Sequence, residues 1–516
     1  MRPISEVVTT TLGRLRGQRL EGLTVFRGVP FAEPPLGPLR FRAPEAKRQW
    51  RGERAALGFG APCPQGAIVA AGLPAPSEDC LTLNLWAPTA EATEPRPVMV
   101  FFHGGGFTSG ASGLPMYDGA ALALRGDVVV VSCNYRLGAL GFVDLSALSP
   151  ERFDSNLGLR DQLACLRFVR DNAEVFGGDP GRVTVFGQSA GAMCAVSLMA
   201  SEAARGLFRS VIAQSGAGHH TAVREESGPL SMQFLEALGL GQRSIERVRE
   251  VRVEAILEAQ EAVQRRWITL GRAGRPMPTA SMTLVPAIDG ELLEAHPFDA
   301  LARGRAAELP LLLGSTAEEW NFWVFLTDPA KHSLDEYALS KVIEKRLPGR
   351  GAEAIELYRR RLQAARGGQA PEPWRIFSVI ESERAFGRPA RLLADSRDGT
   401  GASTFLYRFE YRGPLFDGEL GACHTMDVPF VLGSVERDFG RDFTGGGSDA
   451  IALSGAMIDA WAAFARSGDP SSEGLGTWST WQPGGDGEPK VIGRADGSEA
   501  LVQVDAGLDA FWAAVT

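Results

Sequence analysis

The sequence predicts an α/β protein built on a large, mainly parallel central sheet with helices on both faces. Three observations carry that expectation. Continuous apolar runs of strand length recur at 98–102, 128–131, 183–186, 210–214 and 310–313. Strands buried on both faces read this way, whereas a half-solvated strand alternates. Stretches with helical spacing, 157–176 and 190–200, separate some of these runs, and strand–helix–strand order implies parallel pairing. Finally, no internal repeat or low-complexity tract interrupts the pattern, and 516 residues is a length that a single large sheet can organise.

Taken in order, residues 7–31 mix β-branched and polar residues around Gly13, Gly17, Gly22 and Gly28, which suits an N-terminal β-meander. The prolines of Pro30-Phe31-Ala32-Glu33-Pro34-Pro35-Leu36-Gly37 forbid regular structure and predict a fixed loop over the sheet. Ser77-Glu78-Asp79-Cys80-Leu81 leads into a strand at 83–86. The helix at 157–176 is broken at Gly177-Gly178-Asp179-Pro180-Gly181, before the strand at 183–186. Between 327 and 399 charged helical stretches dominate and sheet-core runs vanish, as in a lid or side subdomain inserted into one domain spanning 1–516. The sheet resumes at 404–411. A long amphipathic helix follows at 449–466, with Met457, Trp461 and Phe464 on one face.

Composition narrows the function classes. A formal net charge of −9 argues against a nucleic-acid groove, which needs a basic face. No run is long and apolar enough to span a bilayer, and the first residues lack the apolar core of a signal peptide, so a cytoplasmic location is expected. Six cysteines are too few for a disulfide scaffold. Cys133, Cys165, Cys194 and Cys423 sit in or beside apolar patterns and read as small buried hydrophobes. Cys63 and Cys80 bracket a Pro/Gly/Ala-rich loop, and their residues leave open whether they are bridged.

Chemistry concentrates at three places. The run at 183–186 ends in Gly187-Gln188-Ser189-Ala190-Gly191, a Gly-x-Ser-x-Gly pentapeptide followed by small and apolar residues. Strand, tight turn and helix in that order form a nucleophile elbow, whose crowding gives Gly187 and Gly191 a steric reason. The run at 98–102 stops at His103-Gly104-Gly105-Gly106-Phe107. Three successive glycines destabilise helix and strand alike, and backbone N–H groups facing a developing anion supply a reason for them. A serine hydroxyl also needs a base, usually a histidine held by a carboxylate, and on this kind of sheet the order is Ser, acid, His. Of the six histidines, His103 belongs to the glycine loop. His219, His220 and His296 precede the strand that should carry the acid, and His332 follows it too closely. His424 is left, in a loop after a core strand. For the acid, Glu318 and Glu319 both follow the strand that ends at Gly314, and periodicity does not choose between them.

These segments, with Asn134-Tyr135-Arg136-Leu137-Gly138 and Phe176-Gly177-Gly178-Asp179-Pro180, resemble in residue and order the type-B carboxylesterase family of the α/β-hydrolase fold. The resemblance covers nearly the whole chain. It implies Ser189 as nucleophile, Glu319 as acid, His424 as base, and Gly105, Gly106 and Ala190 as oxyanion-hole donors. It also implies the ion pairs Arg40–Glu78 and Arg136–Asp161, and a supporting Ser215 beside the triad. Metal and cofactor are not required. The implied activity is hydrolysis of neutral carboxylic esters with short to medium acyl chains, bulky alcohols included, by an acyl-enzyme. The alternatives are amide, carbamate or diester substrates, and more remotely a non-catalytic binding protein. The expected partner is a small-molecule ester acting on a monomer. Two departures bear on substrate: Gln188 stands where the family usually has Glu, and Trp320 where it usually has Gly. Phe107, Trp320 and Trp323, with Phe322 and Phe325 nearby, are candidates to line an apolar pocket.

Overall fold

Strand 96–102 shows why the apolar runs are continuous, since all seven of its residues are buried. Val98, Val100 and Phe102 pack into one core layer and Met99 and Phe101 into the other. Successive side chains of a strand point to opposite faces, so a strand covered on both sides needs apolar residues throughout. The triplets Val211-Ile212-Ala213 and Leu311-Leu312-Leu313 divide between the layers in the same way.

A computed structural model describes residues 6–66, 72–270, 282–401, 403–483, 489–494 and 506–515. Among the described residues the large sheet holds ten strands: β1 Gln18–Leu20, β2 Leu23–Pro30, β3 Thr82–Pro88, β4 Arg96–Phe102, β5 Val129–Cys133, β6 Gly178–Gln188, β7 Ser210–Gln214, β8 Leu311–Thr316, β9 Thr404–Phe409 and β10 Lys490–Ile492. In space they run β10-β9-β8-β7-β6-β4-β5-β3-β2-β1. The six neighbour pairs from β10 to β5 are parallel. The three pairs that carry the sheet on to β1 are antiparallel.

The helices that matter for the site are α1 Leu157–Asn172, α2 Ala190–Met199, α3 Asn321–Leu326, α4 Pro373–Ser382, α5 Arg388–Ser396 and α6 Ser448–Ser467. Met457, Trp461 and Phe464 of α6 are fully buried in the layer that holds Met99 and Phe101, and the Trp461 ring meets Tyr407 edge-on at 5.3 Å. Between β8 and β9 the chain is helical throughout its regular elements, and Leu339, Ile343, Tyr358, Leu362 and Trp374 join the same core cluster as Val98. Among the described residues, no helix is long and apolar enough to cross a membrane.

Two local expectations are corrected. Residues 7–31 do not form one meander. Val7–Thr10 pairs with Gly13–Arg16, which pairs on its other edge with Glu53–Ala55, in a separate three-stranded sheet, while β1 and β2 join the large one. Only Gly17 separates Arg16 from β1, and one residue cannot make the two-residue turn of a hairpin. The glycine-rich break before the elbow strand is also part of β6, because Gly178 already stands opposite Arg96. The irregularity appears instead as a register shift between Arg96 and Val98.

Register aligns the strand ends on which the site is built. Gln188 of β6 stands opposite Gln214 of β7, which stands opposite Gly314 of β8. The ladder continues one residue further: Ser189 N donates to Gln214 O and Ser215 N to Gly314 O, both at 2.8 Å. The carboxyl ends of neighbouring parallel strands thus open at one level, where open α/β sheets bind their ligands.

Candidate active site

Ser189 sits between β6 and α2 with φ 56° and ψ −126°, a conformation that costs a non-glycine residue about 1–3 kcal/mol. The crowding beneath it is severe. A Cβ on Gly191 would lie 2.0 Å from Phe102 O, and one on Gly187 would lie 2.5 Å from the Gly191 carbonyl carbon. The glycines of the pentapeptide are therefore what lets α2 start against the end of β4. The side chain is buried at the N-terminus of this ten-residue helix, where unpaired N–H groups and the helix dipole favour negative charge.

The glycine loop is held from below by His103. Its Nδ1 meets Gly104 O at 2.8 Å, its ring stacks on Tyr135 at 4.5 Å, and Tyr135 Oη donates to His103 O at 2.7 Å. Burial pushes its pKa down to about 4, so this histidine is neutral and serves the loop. Gly105 has φ +116°, and a Cβ there would come within 2.0 Å of Ser109 O. The loop lies against the elbow, since a Cβ on Gly104 would touch Ser189 Cβ at 3.0 Å. Among the described residues, none accepts a hydrogen bond from the N–H of Gly105, Gly106 or Ala190.

The turn after β8 separates the two glutamates. Thr316 N donates to Glu319 Oε1 at 2.7 Å, and Ser215 Oγ donates to the same oxygen at 2.6 Å. Glu319 Oε2 then faces His424 Nδ1 at 2.5 Å, with both side chains buried. Glu318 turns the other way, accepting from Arg412 Nη1 at 2.7 Å and from Ala422 N at 3.0 Å. Backbone bonds from Glu318 N to Ala422 O and from His424 N to Glu319 O stitch the two segments together. Among the described residues, Ser189 Oγ makes no hydrogen bond to His424. His424 Nε2 instead meets Gln188 Nε2 at 3.0 Å.

Aromatic rings cover the imidazole. Trp323 and Phe386 each lie 4.8 Å from its centroid, and Phe322 lies 6.0 Å away. Trp320 stacks on Trp323 at 4.5 Å, and Trp323 on Phe386 at 5.7 Å. Phe325 packs away from this group, against Trp374 and Phe416. Phe107 differs from expectation too: its ring has no accessible surface and packs edge-on to Phe142 at 5.1 Å, so it lines no cleft. The sequence offered no sign of Phe386, which lies in a π-helical turn, Glu383–Gly387, between α4 and α5. Nor did it point to Asp427. That carboxyl is fully buried and accepts from Tyr407 Oη at 2.7 Å and Gln214 Nε2 at 2.9 Å. Burial raises its pKa against these two bonds, and the nearby Glu319 carboxylate raises it further.

Beneath the site, Arg136 grips Asp161 through Nε–Oδ2 and Nη2–Oδ1 at 2.8 and 2.7 Å, both side chains being buried. Arg40 holds Glu78 through Nε–Oε2 at 2.7 Å and a second contact from Nη2 to Oε1. Cys63 and Cys80 are buried free thiols, and contact with Cys63, then burial, pushes the Cys80 thiol well up. The loop they bracket includes residues 67–71, which lie outside the described residues. Among the described residues, no group of three or more His, Cys, Asp or Glu side chains is arranged to hold a metal ion.

A serine on a strained strand–helix turn, beside free N–H groups and a buried histidine–carboxylate pair, is an arrangement suited to acyl transfer. Known proteins share its sequence and fold. A para-nitrobenzyl esterase of Bacillus subtilis (strain 168) is 35% identical over 483 residues, covering 91% of each chain. A phenmedipham hydrolase of Pseudarthrobacter oxydans is 34% identical over 520 residues, covering 98% of this chain and 96% of its own. The crystal structure of a Geobacillus stearothermophilus carboxylesterase superposes with a TM-score of 0.82 at 34% identity, covering 99% of this chain and 100% of that one. With the carboxylesterase family model matching residues 4–495 as well, this chain belongs to the carboxylesterase family and is a carboxylic ester hydrolase of the α/β-hydrolase fold.

Proposed function

We propose that Ser189 is the nucleophile, His424 the general base and Glu319 the acid that orients it, with the N–H groups of Gly105, Gly106 and Ala190 as the oxyanion hole. The observation that carries this reading is the 2.5 Å contact of His424 Nδ1 with Glu319 Oε2, made where the ends of β6, β7 and β8 open beside the elbow. That contact holds a ring proton on Nδ1 and leaves the lone pair on Nε2 as the proton acceptor. Ser189 Oγ attacks the ester carbonyl as His424 Nε2 accepts its proton. The tetrahedral oxyanion is held by the three N–H groups, each worth about 3 kcal/mol to the transition state. The C–O bond to the alcohol then breaks as Nε2 returns that proton to the leaving oxygen. A water, deprotonated by Nε2, attacks the acyl-enzyme, and the acid leaves with Ser189 Oγ reprotonated. Ser189 Oγ engages Nε2 as substrate arrives, and such bonds are often long before substrate binds.

The walls support a neutral small-molecule ester with a short to medium acyl chain. Trp323, Phe386 and Phe322 cover His424, and the neighbouring carboxylates Glu318 and Asp427 are engaged by Arg412, Tyr407 and Gln214. We assign 327–399 to a side subdomain that frames this wall, since its π-helical turn supplies Phe386. We further propose that the enzyme acts as a monomer in the cytoplasm, in keeping with its net charge of −9 and its buried free thiols.

An organophosphate should add one adduct at Ser189, located by mass spectrometry, and Ser189→Ala should abolish turnover of p-nitrophenyl butyrate while the fold survives. An adduct elsewhere, or full activity in the variant, overturns the assignment. The relative named for phenmedipham favours a second reading, a specialist for amide, carbamate or diester substrates with the same residues. A faster rate on the anilide than on the matched ester selects it.

A further inference from the structure

The base nitrogen of the resting site already has a partner. With a proton on Nδ1 directed at Glu319 Oε2, the neutral ring carries its lone pair on Nε2, and Gln188 Nε2 stands 3.0 Å in front of it. An amide nitrogen only donates. The amide therefore presents a donor to the lone pair that an Nδ1-protonated ring carries at this point. The side chain is no loose lid, because Gln188 is buried and its Oε1 is wedged against the glycine loop, 2.7 Å from where a Gly104 Cβ would be.

The other groups around the ring leave Gln188 as the neutral member of the set. Glu319 faces Nδ1. Asp427, three residues along the same loop, is engaged by Tyr407 and Gln214, and Glu318 by Arg412 and Ala422 N. From α3 come Phe322 and Trp323, and from the π-helical turn Phe386, all without charge. Arg384, two residues before Phe386, is taken up by both oxygens of Glu381. Protonating Nε2 would therefore set an imidazolium N–H against an amide N–H, two donors face to face.

We propose that Gln188 is a positioning residue that holds His424 in its neutral, Nδ1-protonated form, occupying Nε2 until the Ser189 hydroxyl replaces it as substrate binds. The proposal rests on the reading of His424 as the base. Its signature is in the pH profile. Removing the donor makes the resting imidazolium easier to form, and replacing it with a carboxylate stabilises that cation directly. The acid limb of kcat/KM should accordingly move to higher pH by about half a unit in Gln188→Leu. In Gln188→Glu it should move by about 1 unit or more.

The experiment measures kcat/KM for p-nitrophenyl butyrate from pH 5 to 9 in wild type and both variants, with organophosphate labelling of Ser189 followed over the same range. Acid limbs in the order wild type, Leu, Glu, reproduced in the labelling rates, are the expected result. Labelling at Ser189 with acid limbs that coincide, or that fall in another order, overturns the role of Gln188 alone. Failure of Ser189 to label in wild type overturns the triad, and this proposal with it. Circular dichroism of both variants separates a lost fold from a shifted profile, and either variant suffices to test the direction.

Discussion

Ser215 Oγ donates to Glu319 Oε1 at 2.6 Å, on the oxygen opposite the one that faces His424. The serine has φ 53° and follows β7 directly, so a strained backbone at one strand end braces the carboxylate at the next. Hydrogen bonds to charged groups are worth about 1.5–3 kcal/mol. Ser215→Ala should therefore lower kcat by about tenfold to a hundredfold with KM little changed. Steady-state kinetics on p-nitrophenyl butyrate, with circular dichroism to verify the fold, checks this. An unchanged kcat would mean that Thr316 N holds the carboxylate alone.

The two adjacent glutamates should separate cleanly. Glu319→Gln puts an amide opposite His424 Nδ1, favours the wrong tautomer, and should cost about 10³–10⁴ in kcat. Glu318→Gln should retain most activity. It weakens the grip on the half-exposed Arg412 and should lower stability by about 1–2 kcal/mol, measured by urea denaturation.

Asp161 is fully buried beneath Arg136, whose fork meets no other carboxylate among the described residues. Asp161→Asn leaves a buried guanidinium short of its counter-charge and should cost about 3–5 kcal/mol. The loss should appear as a lower unfolding midpoint together with loss of activity, because Arg136 Nη1 also donates to Arg42 O and ties down a distant loop.

Acid should destabilise the fold below pH 6.5. Burial holds His103 down to about 4, and burial with repulsion from His296 and Arg384 holds His219 down to about 3, against an ordinary 6.5. Between those values the unfolded chain binds protons that the folded chain refuses. Stability is thus complete above 6.5 and falls as pH drops towards 4, by up to about 1.4 kcal/mol per pH unit for each histidine. Urea midpoints at pH 7 and pH 5 test the trend, and His219→Leu should flatten part of it.

The sequence by itself determined what depends on neighbours along the chain. Continuous apolar runs announced strands buried on both faces, and the run of glycines after Phe102 marked a loop with free N–H groups. The small residues around Ser189 reflect a turn whose crowding is local, as the 2.0 Å approach at Gly191 makes plain. Chain order alone singled out His424. Tertiary structure decided what depends on residues brought together across the chain. Glu318 and Glu319 are the same chemistry one residue apart. They differ because Arg412 and Ala422 N take one, while Thr316, Ser215 and His424 take the other. Phe107 has the composition of a pocket residue and the surroundings of a core residue. The contact of Gln188 with His424 spans 236 positions and that of Phe386 crosses from another element, so no periodicity in the chain encodes either. Local sterics and hydrophobic patterning are written in adjacent residues. The partner of a buried polar group is settled only when distant strands and loops close around it and exclude water.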